Sequence, residues 1–232
     1  MLADSGLTKE DITATTTDGD ENHTIFKQPT FTPGTITEYG EIDPEGDDVI
    51  IHYYDLEGKP VMYTPKNAKG QRVGDDRRYF RIRYQYPEEH LDRSGRPAKY
   101  RSPAGTTTNI YIPQRLRAMY KAGLEIPRLF IQEGEKKAEK ACKHGLPSVA
   151  VAGIQNLGIN KQLPECIISI VEKCSVKEVV FMLDADCFDL TTHIKINDPI
   201  ERRPRNFYYA IKNYKEYFGT LQNRGLWLEI YF

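Results

Sequence analysis

Three acidic residues stand directly after apolar stretches of the sequence, where carboxylates are suited to bind a metal ion. Glu133 follows "RLFIQ", and Asp184 and Asp186 close "EVVFMLDAD". In an extended chain, residues i and i+2 project to the same side, so the two aspartates are placed to hold one hard cation together. Carboxylates with few imidazoles or thiolates nearby favour Mg2+ or Mn2+ over zinc. The spacing therefore predicts a Mg2+ (or Mn2+) site with Asp184 and Asp186 as ligands.

The elements that must position these residues are predicted to alternate between strand and helix. The pattern predicts strands over 128–132, 148–153, 178–186 and "LWLEIYF", separated by the helices "EKKAEKACKHG", "LPECIISIVEKC" and "NFYYAIKNYKEYFGTL". Apolar strands separated by helices are typical of an α/β domain with a mostly parallel sheet flanked by helices. Ligands of such sheets bind beyond the carboxyl ends of the strands, so all three acids are expected to meet at one edge.

Each motif also has a purely structural interpretation. "EGEKKAEKA" alone is typical of a solvated helix with Glu and Lys neighbours, and "DAD" alone is typical of a strand end with solvated or capping acids. Burying three acids close together costs too much free energy without a metal ion or protonation. Their joint occurrence therefore favours a functional site. Gly134 would let backbone approach closely there and would start a helix whose N-terminus faces the same edge.

The chain before the α/β domain is predicted to have two parts. Residues 1–34 are rich in Thr, Asp and Glu, and we expect them to be disordered. Residues 35–114 form a predicted small β-rich module, in which "DVIIHYY" and "PVMYT" flank a hairpin turn, "DLEGK". The segment "RRYFRIRYQY" alternates with period two and predicts a half-buried antiparallel strand. The α/β domain, 115–232, ends inside an apolar strand, so we expect it to be truncated at its C-terminus.

A basic stretch indicates a surface for nucleic acid. Basic residues outnumber acidic ones eight to three over 77–101. The alternation puts one tyrosine and two arginines on the same strand face, and guanidinium groups beside a ring are typical of single-strand binding. A strand edge protected by charge against further pairing is the alternative. In the long segment 187–206, "ERRPR" fits either a phosphate contact or a solvated loop. The predicted nucleic-acid-binding residues are Tyr79, Arg81, Arg83, Lys99 and Arg101.

The composition argues against secretion and against a membrane span. No basic start followed by an apolar run opens the chain, and no stretch of the sequence approaches the apolar length of a spanning helix. The four cysteines match neither paired zinc-ligand motifs nor a compact disulfide framework. We therefore expect reduced thiols, a cytoplasmic protein and no membrane partner.

The order of these motifs resembles that of a Toprim domain, the fold shared by topoisomerases, bacterial-type primases and some nucleases. Glu133-Gly134 matches its strand ending in Glu-Gly, Gly153 its intermediate turn, and Asp184 with Asp186 its strand ending in Asp-x-Asp. "EGEKKA", with "YYDLEGKPVMY", "YFRIRYQYP" and "KYRSPAGTTTNIYIP" upstream, is similar to the primase-like Toprim proteins of phages, plasmids and integrative elements, including the type called domain of unknown function 3854. The resemblance covers roughly residues 48–232.

The resemblance implies a Mg2+-dependent enzyme of a mobile genetic element that acts on DNA by phosphoryl transfer, in primer synthesis or replication initiation. It implies that Asp184 and Asp186 bind the metal, and that Glu133 is a catalytic residue that completes the site or acts as general acid/base. The implied partners are single-stranded DNA, nucleoside triphosphates and a separate replicative helicase, since the chain has no GxxxxGK[ST] motif. Asp189 has no counterpart in the motif, and we expect it to be a loop residue.

Two other functions fit part of the pattern. A non-catalytic module of the same fold would bind single-stranded DNA or nucleotide and recruit a helicase. A nucleotide-sugar glycosyltransferase would also use an Asp-x-Asp strand to hold a divalent ion on a diphosphate. That third function does not need Glu133-Gly134, which makes it the least favoured.

Overall fold

The chain divides into two compact units, Met1–Thr107 and Thr108–Phe232. The division falls ahead of the predicted boundary after residue 114, because Tyr111 pairs with Ala150 inside the second unit. At 14–16 and 202–207 the computed structural model describes the backbone alone. The residues it describes are 5–7, 11, 14–16, 48–67, 69–92, 95–103, 106–107, 109–158, 162–183 and 202–231.

The described strands of the first unit form two antiparallel sheets. They are, in chain order, β1 (Ala14–Thr16), β2 (Val49–His52), β3 (Met62–Tyr63), β4 (Arg77–Arg78), β5 (Phe80–Arg83) and β6 (Tyr100–Arg101). One sheet has the order β1-β2-β5-β6, and the other pairs β3 with β4. Most of the segment predicted to be disordered, 1–34, lies outside the described residues. Its residues 14–16 instead form β1, because β2 provides a partner strand for them.

The predicted hairpin around "DLEGK" is confirmed. Tyr54 pairs with Pro60 across the turn, and the N–H of Asp55 donates to the carbonyl oxygen of Lys59 at 2.8 Å. Gly58 has a φ of 79°, a conformation that glycine adopts without steric cost. The turn composition therefore specified the connection correctly.

The strand predicted over "RRYFRIRYQY" is antiparallel, as expected, but it is buried on both faces rather than half-buried. Phe80, Ile82 and Tyr84 are buried together with Ile50 of β2. The other face is also covered, since Tyr79 is 1% exposed. The physical reason is that aromatic rings cover this face, since Tyr79 packs edge-on against Tyr53 and the guanidinium group of Arg81 lies over the ring of Tyr100.

The second unit is a mixed α/β domain with a four-stranded parallel sheet flanked by helices. Its elements are α1 (Gln114–Lys121), β7 (Arg128–Glu133), α2 (Glu135–Lys143), β8 (Ser148–Val151), α3 (Glu165–Lys173), β9 (Glu178–Met182), α4 (Arg202–Gly219) and β10 (Glu229–Tyr231). The strand order is β10-β9-β7-β8, and all three neighbouring pairs are parallel. A short 3-10 helix, Thr220–Arg224, follows α4. The predicted parallel sheet is thereby confirmed, and α1 is a helix that the sequence pattern did not predict.

Apolar strand residues build the core of this sheet. The inward residues are at most 5% exposed: Leu129, Ile131, Val149, Val151, Val179 and Phe181. Connections between neighbouring parallel strands are right-handed, so α2 covers one face of the sheet while α3 and α4 cover the other. Gly145 follows the end of α2 and has a φ of 80°. Its N–H donates to the carbonyl oxygen of Cys142 at 3.1 Å, which closes the last turn of the helix. The predicted closure of α2 by Gly145 is therefore confirmed.

The described helices have no membrane-spanning character. Within the part of the chain that the structure describes, no helix combines the length and the apolar surface that a membrane span requires.

Candidate functional site

The strand order creates a switch point between β7 and β9. The chain leaves β7 on one side to form β8, and it then crosses back past β7 to form β9. Loops that depart in opposite directions from two adjacent parallel strands leave a crevice at the carboxyl ends of those strands, where ligands of open α/β sheets bind. We call the edge of the sheet at which Glu133, Val151, Met182 and Tyr231 end their strands the carboxyl edge.

Glu133 lies at this switch point. It is the last residue of β7 and is paired with Val151 of β8, and its side chain is half-buried. The next residue, Gly134, donates its N–H to the carbonyl oxygen of Val151 at 3.0 Å and has φ 103° and ψ 141°. Side chains rarely adopt that backbone conformation, although no atom lies within 4 Å of where a Cβ would stand. Glycine is therefore required at 134 by the backbone turn, not by crowding.

The other predicted metal ligands lie outside the described residues. The last pair between the two strands is Gln132 with Met182, and the Nε2 of Gln132 donates to the Sδ of Met182 at 3.3 Å. Asp184 and Asp186 follow Met182 by two and four positions in the sequence. Among the residues that the structure does describe, no group of three or more His, Cys, Asp or Glu side chains is arranged to hold a metal ion. The predicted metal site thus stays a prediction.

Tyr214 of α4 connects three strand ends at the carboxyl edge. It is 1% exposed, and its ring stacks on Phe181 of β9 with 4.9 Å between the ring centroids. Its hydroxyl donates to the carbonyl oxygen of Ile154, in the loop after β8. Burial and then the negative charge of Glu133 raise the pKa of Tyr214, so the phenol stays protonated. Tyr214 is therefore a donor that orders the edge and not an activated nucleophile.

The loop after β8 carries the predicted turn glycine. Gly153 accepts a hydrogen bond from the N–H of Asn156 at 2.9 Å, and a Cβ on it would stand 3.2 Å from the Nδ2 of Asn156. A second glycine is more restricted, because a Cβ on Gly158 would stand 2.5 Å from the ring of Tyr217. The loop from 153 to 158 is thus packed directly under α4, beside the switch point.

The sequence analysis missed two buried carboxylates on α2. Glu135 and Glu139 are both 0% exposed and share a buried helix face with Ala138 and Cys142. The i, i+3, i+4, i+7 spacing of these four residues marks one face of a helix, so the signal was present in the sequence. Their charge instead suggested a solvated helix.

Glu139 is held by residues that precede and begin α1. The hydroxyl of Tyr111 donates to its Oε1 at 2.7 Å. Burial raises the pKa of Glu139 to about 7, while the Tyr111 hydrogen bond, the Gln114 N–H and the charges of Arg117 and Arg115 act to lower it. Arg117 also donates to the carbonyl oxygen of Ile112 at 2.7 Å. These contacts join α2 to the chain that enters the second unit.

The described cysteines are free thiols, as expected. They are Cys142, Cys166 and Cys174, and Cys187 lies outside the described residues. Burial raises the pKa of Cys142 and of Cys166 to about 12, which leaves both thiols protonated and poorly nucleophilic at neutral pH.

The predicted nucleic-acid surface of the first unit is brought together only in part. The guanidinium groups of Arg81 and Arg83 lie over the ring of Tyr100, at 4.8 and 5.2 Å from its centroid. Lys99 is exposed and Arg101 is half-buried, and both lie in or beside β6, next to β5. Arg81, Arg83 and Tyr100 therefore share one face of the sheet, whereas Arg101, which pairs with Ile82, and Lys99 two residues before it occupy the other face.

Tyr79 does not add a free ring to the face of Arg81 and Arg83. It is buried edge-on against Tyr53, with 4.9 Å between the ring centroids, and its hydroxyl donates to the Oγ of Ser102 at 3.3 Å. A base cannot stack on a ring that is already covered. Tyr100, which the sequence analysis did not select, is the aromatic residue beside the two arginines; the binding role of this region stays a prediction.

Compared with models of known protein families and with curated proteins, the sequence matches none of them.

Proposed function

We propose that the chain is a Mg2+-dependent, primase-like enzyme of the Toprim type, which acts on single-stranded DNA by phosphoryl transfer. The observation that carries this proposal is the switch point of the parallel sheet, where β7 ends at Glu133 beside β9. β9 in turn leads directly into Asp184-Ala185-Asp186 in the sequence. A glutamate at the switch point and two aspartates that follow the adjacent strand in the sequence supply the oxygen ligands that a hard, phosphate-binding divalent cation prefers.

The residues present at the edge fit such an ion. A half-buried glutamate offers oxygen ligands, which a hard divalent cation prefers. In this proposal Asp184 and Asp186 hold Mg2+ or Mn2+, and Glu133 completes the site or moves a proton as general acid/base. The bound ion would supply stabilisation of charge on the transferring phosphoryl group.

The chain's own contribution is to position these groups. Gly134 turns the backbone immediately after Glu133, and Tyr214 ties the ends of β8 and β9 together. These contacts fix the backbone beside Glu133, and phosphoryl transfer depends on such positioning because most of its catalysis comes from positioning and electrostatics. The same proposal includes nucleoside triphosphates and a separate replicative helicase as partners. It also includes a mobile genetic element as the source of the chain.

The test is turnover on single-stranded DNA with nucleoside triphosphates and Mg2+ or Mn2+, assayed for both primer synthesis and nicking. We expect activity from the parent chain, its loss in Asp184→Asn and in Glu133→Gln, and its retention in Asp189→Asn. DNA binding without turnover in the folded parent chain would contradict catalysis and would favour a non-catalytic module that recruits a helicase. Activity that survives Asp184→Asn would place the chemistry elsewhere.

A further inference from the structure

Three turns of the first unit are built in the same way, and they begin at Asp55, Asn67 and Asp92. In each turn, the side-chain oxygen of the first residue accepts a hydrogen bond from the N–H of the residue four positions later, at 2.8 to 3.0 Å. The backbone N–H of the first residue donates to the carbonyl oxygen of that same later residue. A glycine three positions after the first residue has a positive φ in all three turns. Asp and Asn are therefore interchangeable at the start of this turn.

The middle turn differs from the other two in its charge. The sequence from 66 to 72 has three basic residues and no acid, whereas 54–60 has two acids and one lysine. In the third turn, Asp92 forms an ion pair with Arg96 at 3.2 Å. Because an aspartate would form the same turn, the backbone does not require the neutral side chain of Asn67. The purely basic character of the middle turn therefore belongs to its surface and not to its folding.

The middle turn is the tip of a two-stranded antiparallel ribbon over 62–78, which we call the basic ribbon. β3 pairs with β4 at its base, and Lys66 pairs with Arg72 just before the turn. Every residue from 71 to 78 is exposed. At about 3.4 Å per residue, the ribbon extends roughly 17 Å from β3 to the turn. It therefore offers a long surface to a partner of the first unit.

The charge of the basic ribbon is positive even when its acids are counted. Five basic residues against two acidic ones leave three positive charges. Asp76 accepts a hydrogen bond from the Oγ1 of Thr64 at 2.6 Å and pairs with Arg72 at 3.4 Å, and Asp75 is exposed. Within the part of the chain that the structure describes, three exposed basic side chains of the ribbon have no carboxylate partner: Lys66, Lys69 and Arg78. The ribbon thus has cations available for an anionic partner.

The basic ribbon has charges for phosphates but no ring for bases. Its only aromatic residue, Tyr63, is half-buried and meets the buried Tyr79 edge to face, with 6.4 Å between the ring centroids. Arg77 also hydrogen-bonds to the hydroxyl of Tyr63. Surfaces that bind single strands stack the bases on aromatic side chains, which this ribbon does not offer. A duplex instead keeps its bases stacked inside, and its major groove, about 12 Å wide, admits a two-stranded β-ribbon.

We propose that the basic ribbon binds double-stranded nucleic acid, with Lys66, Lys69 and Arg78 in contact with backbone phosphates. Contacts to phosphates carry no sequence information, so this binding is independent of base sequence. The inference rests on the proposed function for its purpose, since primer synthesis converts a single strand into a duplex. The ribbon contains none of the residues that the sequence predicted to bind nucleic acid, so it is a separate surface of the first unit.

The experiment measures binding of the full chain to a fluorescently labelled DNA duplex of mixed sequence, and to one of its strands alone, by anisotropy in EDTA as a function of salt. Lys66→Gln/Lys69→Gln is expected to lower the slope of log affinity against log salt for the duplex by about two, because each phosphate contact contributes about one. Lys59→Gln removes an exposed lysine from the first turn and is the matched control, with an unchanged slope.

A second variant, Asn67→Asp, changes the charge of the tip without changing its turn. Asp55 and Asp92 form the same turn, so the variant should fold as the parent chain does, which circular dichroism checks. A carboxylate at the tip should lower the affinity for the duplex at low salt, and the difference from the parent chain should shrink as salt screens the charge.

Absence of duplex binding by the parent chain overturns the inference, and so does a loss in Lys59→Gln equal to that in the lysine pair. Parent-like binding of the duplex by both Lys66→Gln/Lys69→Gln and Asn67→Asp overturns it as well. A lysine pair that loses affinity for the single strand but not for the duplex would assign the ribbon to the wrong partner. Turnover without duplex binding would contradict the role of the ribbon alone, and duplex binding without turnover would contradict the proposed enzyme alone.

Discussion

The hydroxyl of Tyr111 donates a hydrogen bond to the Oε1 of Glu139 at 2.7 Å, and both residues are 0% exposed. Tyr111 also pairs with Ala150 at the edge of the parallel sheet, with N–H to carbonyl distances of 2.9 Å in both directions. The entry segment of the second unit is therefore held both by backbone pairing and by a buried carboxylate. That carboxylate makes the stability of the unit depend on pH.

Replacing Glu139 by Gln should abolish a specific part of that pH dependence. The pKa of Glu139 rises from 4.5 to about 7 on folding, so between these values the folded state binds more protons than the unfolded state. The contribution of Glu139 to stability is then fully present below about pH 4.5 and declines as the pH rises through about 7, by on the order of 3 kcal/mol across the window. Urea unfolding at a series of pH values, followed by circular dichroism, measures this slope.

Glu139→Gln keeps the acceptor for Tyr111 and removes the titration, so its free energy of unfolding should exceed that of the parent above about pH 7 and approach it near pH 4.5. Glu125→Gln, at an exposed position, is the matched control and should follow the parent chain. Parallel pH profiles for the parent and Glu139→Gln would show that the buried carboxylate does not titrate in this range.

Replacing Tyr214 by Phe should loosen the loop that follows β8. The variant keeps the ring that stacks on Phe181 but leaves the carbonyl oxygen of Ile154 without this donor. Loss of a neutral hydrogen bond of this kind costs about 1 kcal/mol. Hydrogen exchange should therefore accelerate at residues 154–158, and the free energy of unfolding should fall by a similar amount. Tyr217→Phe is the control. Equal exchange rates at residues 154–158 in Tyr214→Phe and Tyr217→Phe would contradict the role that we assign to the Tyr214 hydroxyl.

The sequence predicted the parallel sheet well and the environment of single side chains less well. Strands such as β7 and β9 are apolar on both faces and are separated by helix-length segments, which leaves few alternatives. Helix α1 was missed, because "QRLRAMYK" is short and mostly polar, and its Leu116 and Arg117 become buried only by packing in the folded unit.

Burial of polar residues was the least predictable feature. Period two assigned Tyr79 and Arg81 to a solvated face, but the ring of Tyr53 covers Tyr79 and the ring of Tyr100 covers Arg81. Glu135 and Glu139 were assigned to solvent by their charge, although their spacing matched the buried face of α2. Local patterns report which face a residue occupies, whereas tertiary contacts decide whether that face meets water.

Replacing Gly134 by Ala should destabilise the turn at the candidate site. At a φ of 103°, any residue with a side chain would lose on the order of 1–3 kcal/mol of folding free energy to backbone strain. This cost applies even though the space for a Cβ is open. We expect a lower free energy of unfolding and a displaced Glu133. Gly219→Ala, at a helical φ of −57° with equally open space, should be neutral or slightly stabilising. Equal free energies of unfolding for Gly134→Ala and Gly219→Ala would mean that the backbone at residue 134 can adopt a conformation that alanine tolerates.

The most direct test of the proposed metal site is calorimetric titration of Mg2+ and Mn2+ into the parent chain, into Asp184→Asn/Asp186→Asn and into the control Asp189→Asn. We predict binding to the parent and to Asp189→Asn, with loss of binding in the double variant, since the hard cation depends on those two carboxylates. A folded parent chain that binds neither ion, or a double variant that binds them as the parent does, would contradict a metal-dependent site at the carboxyl edge.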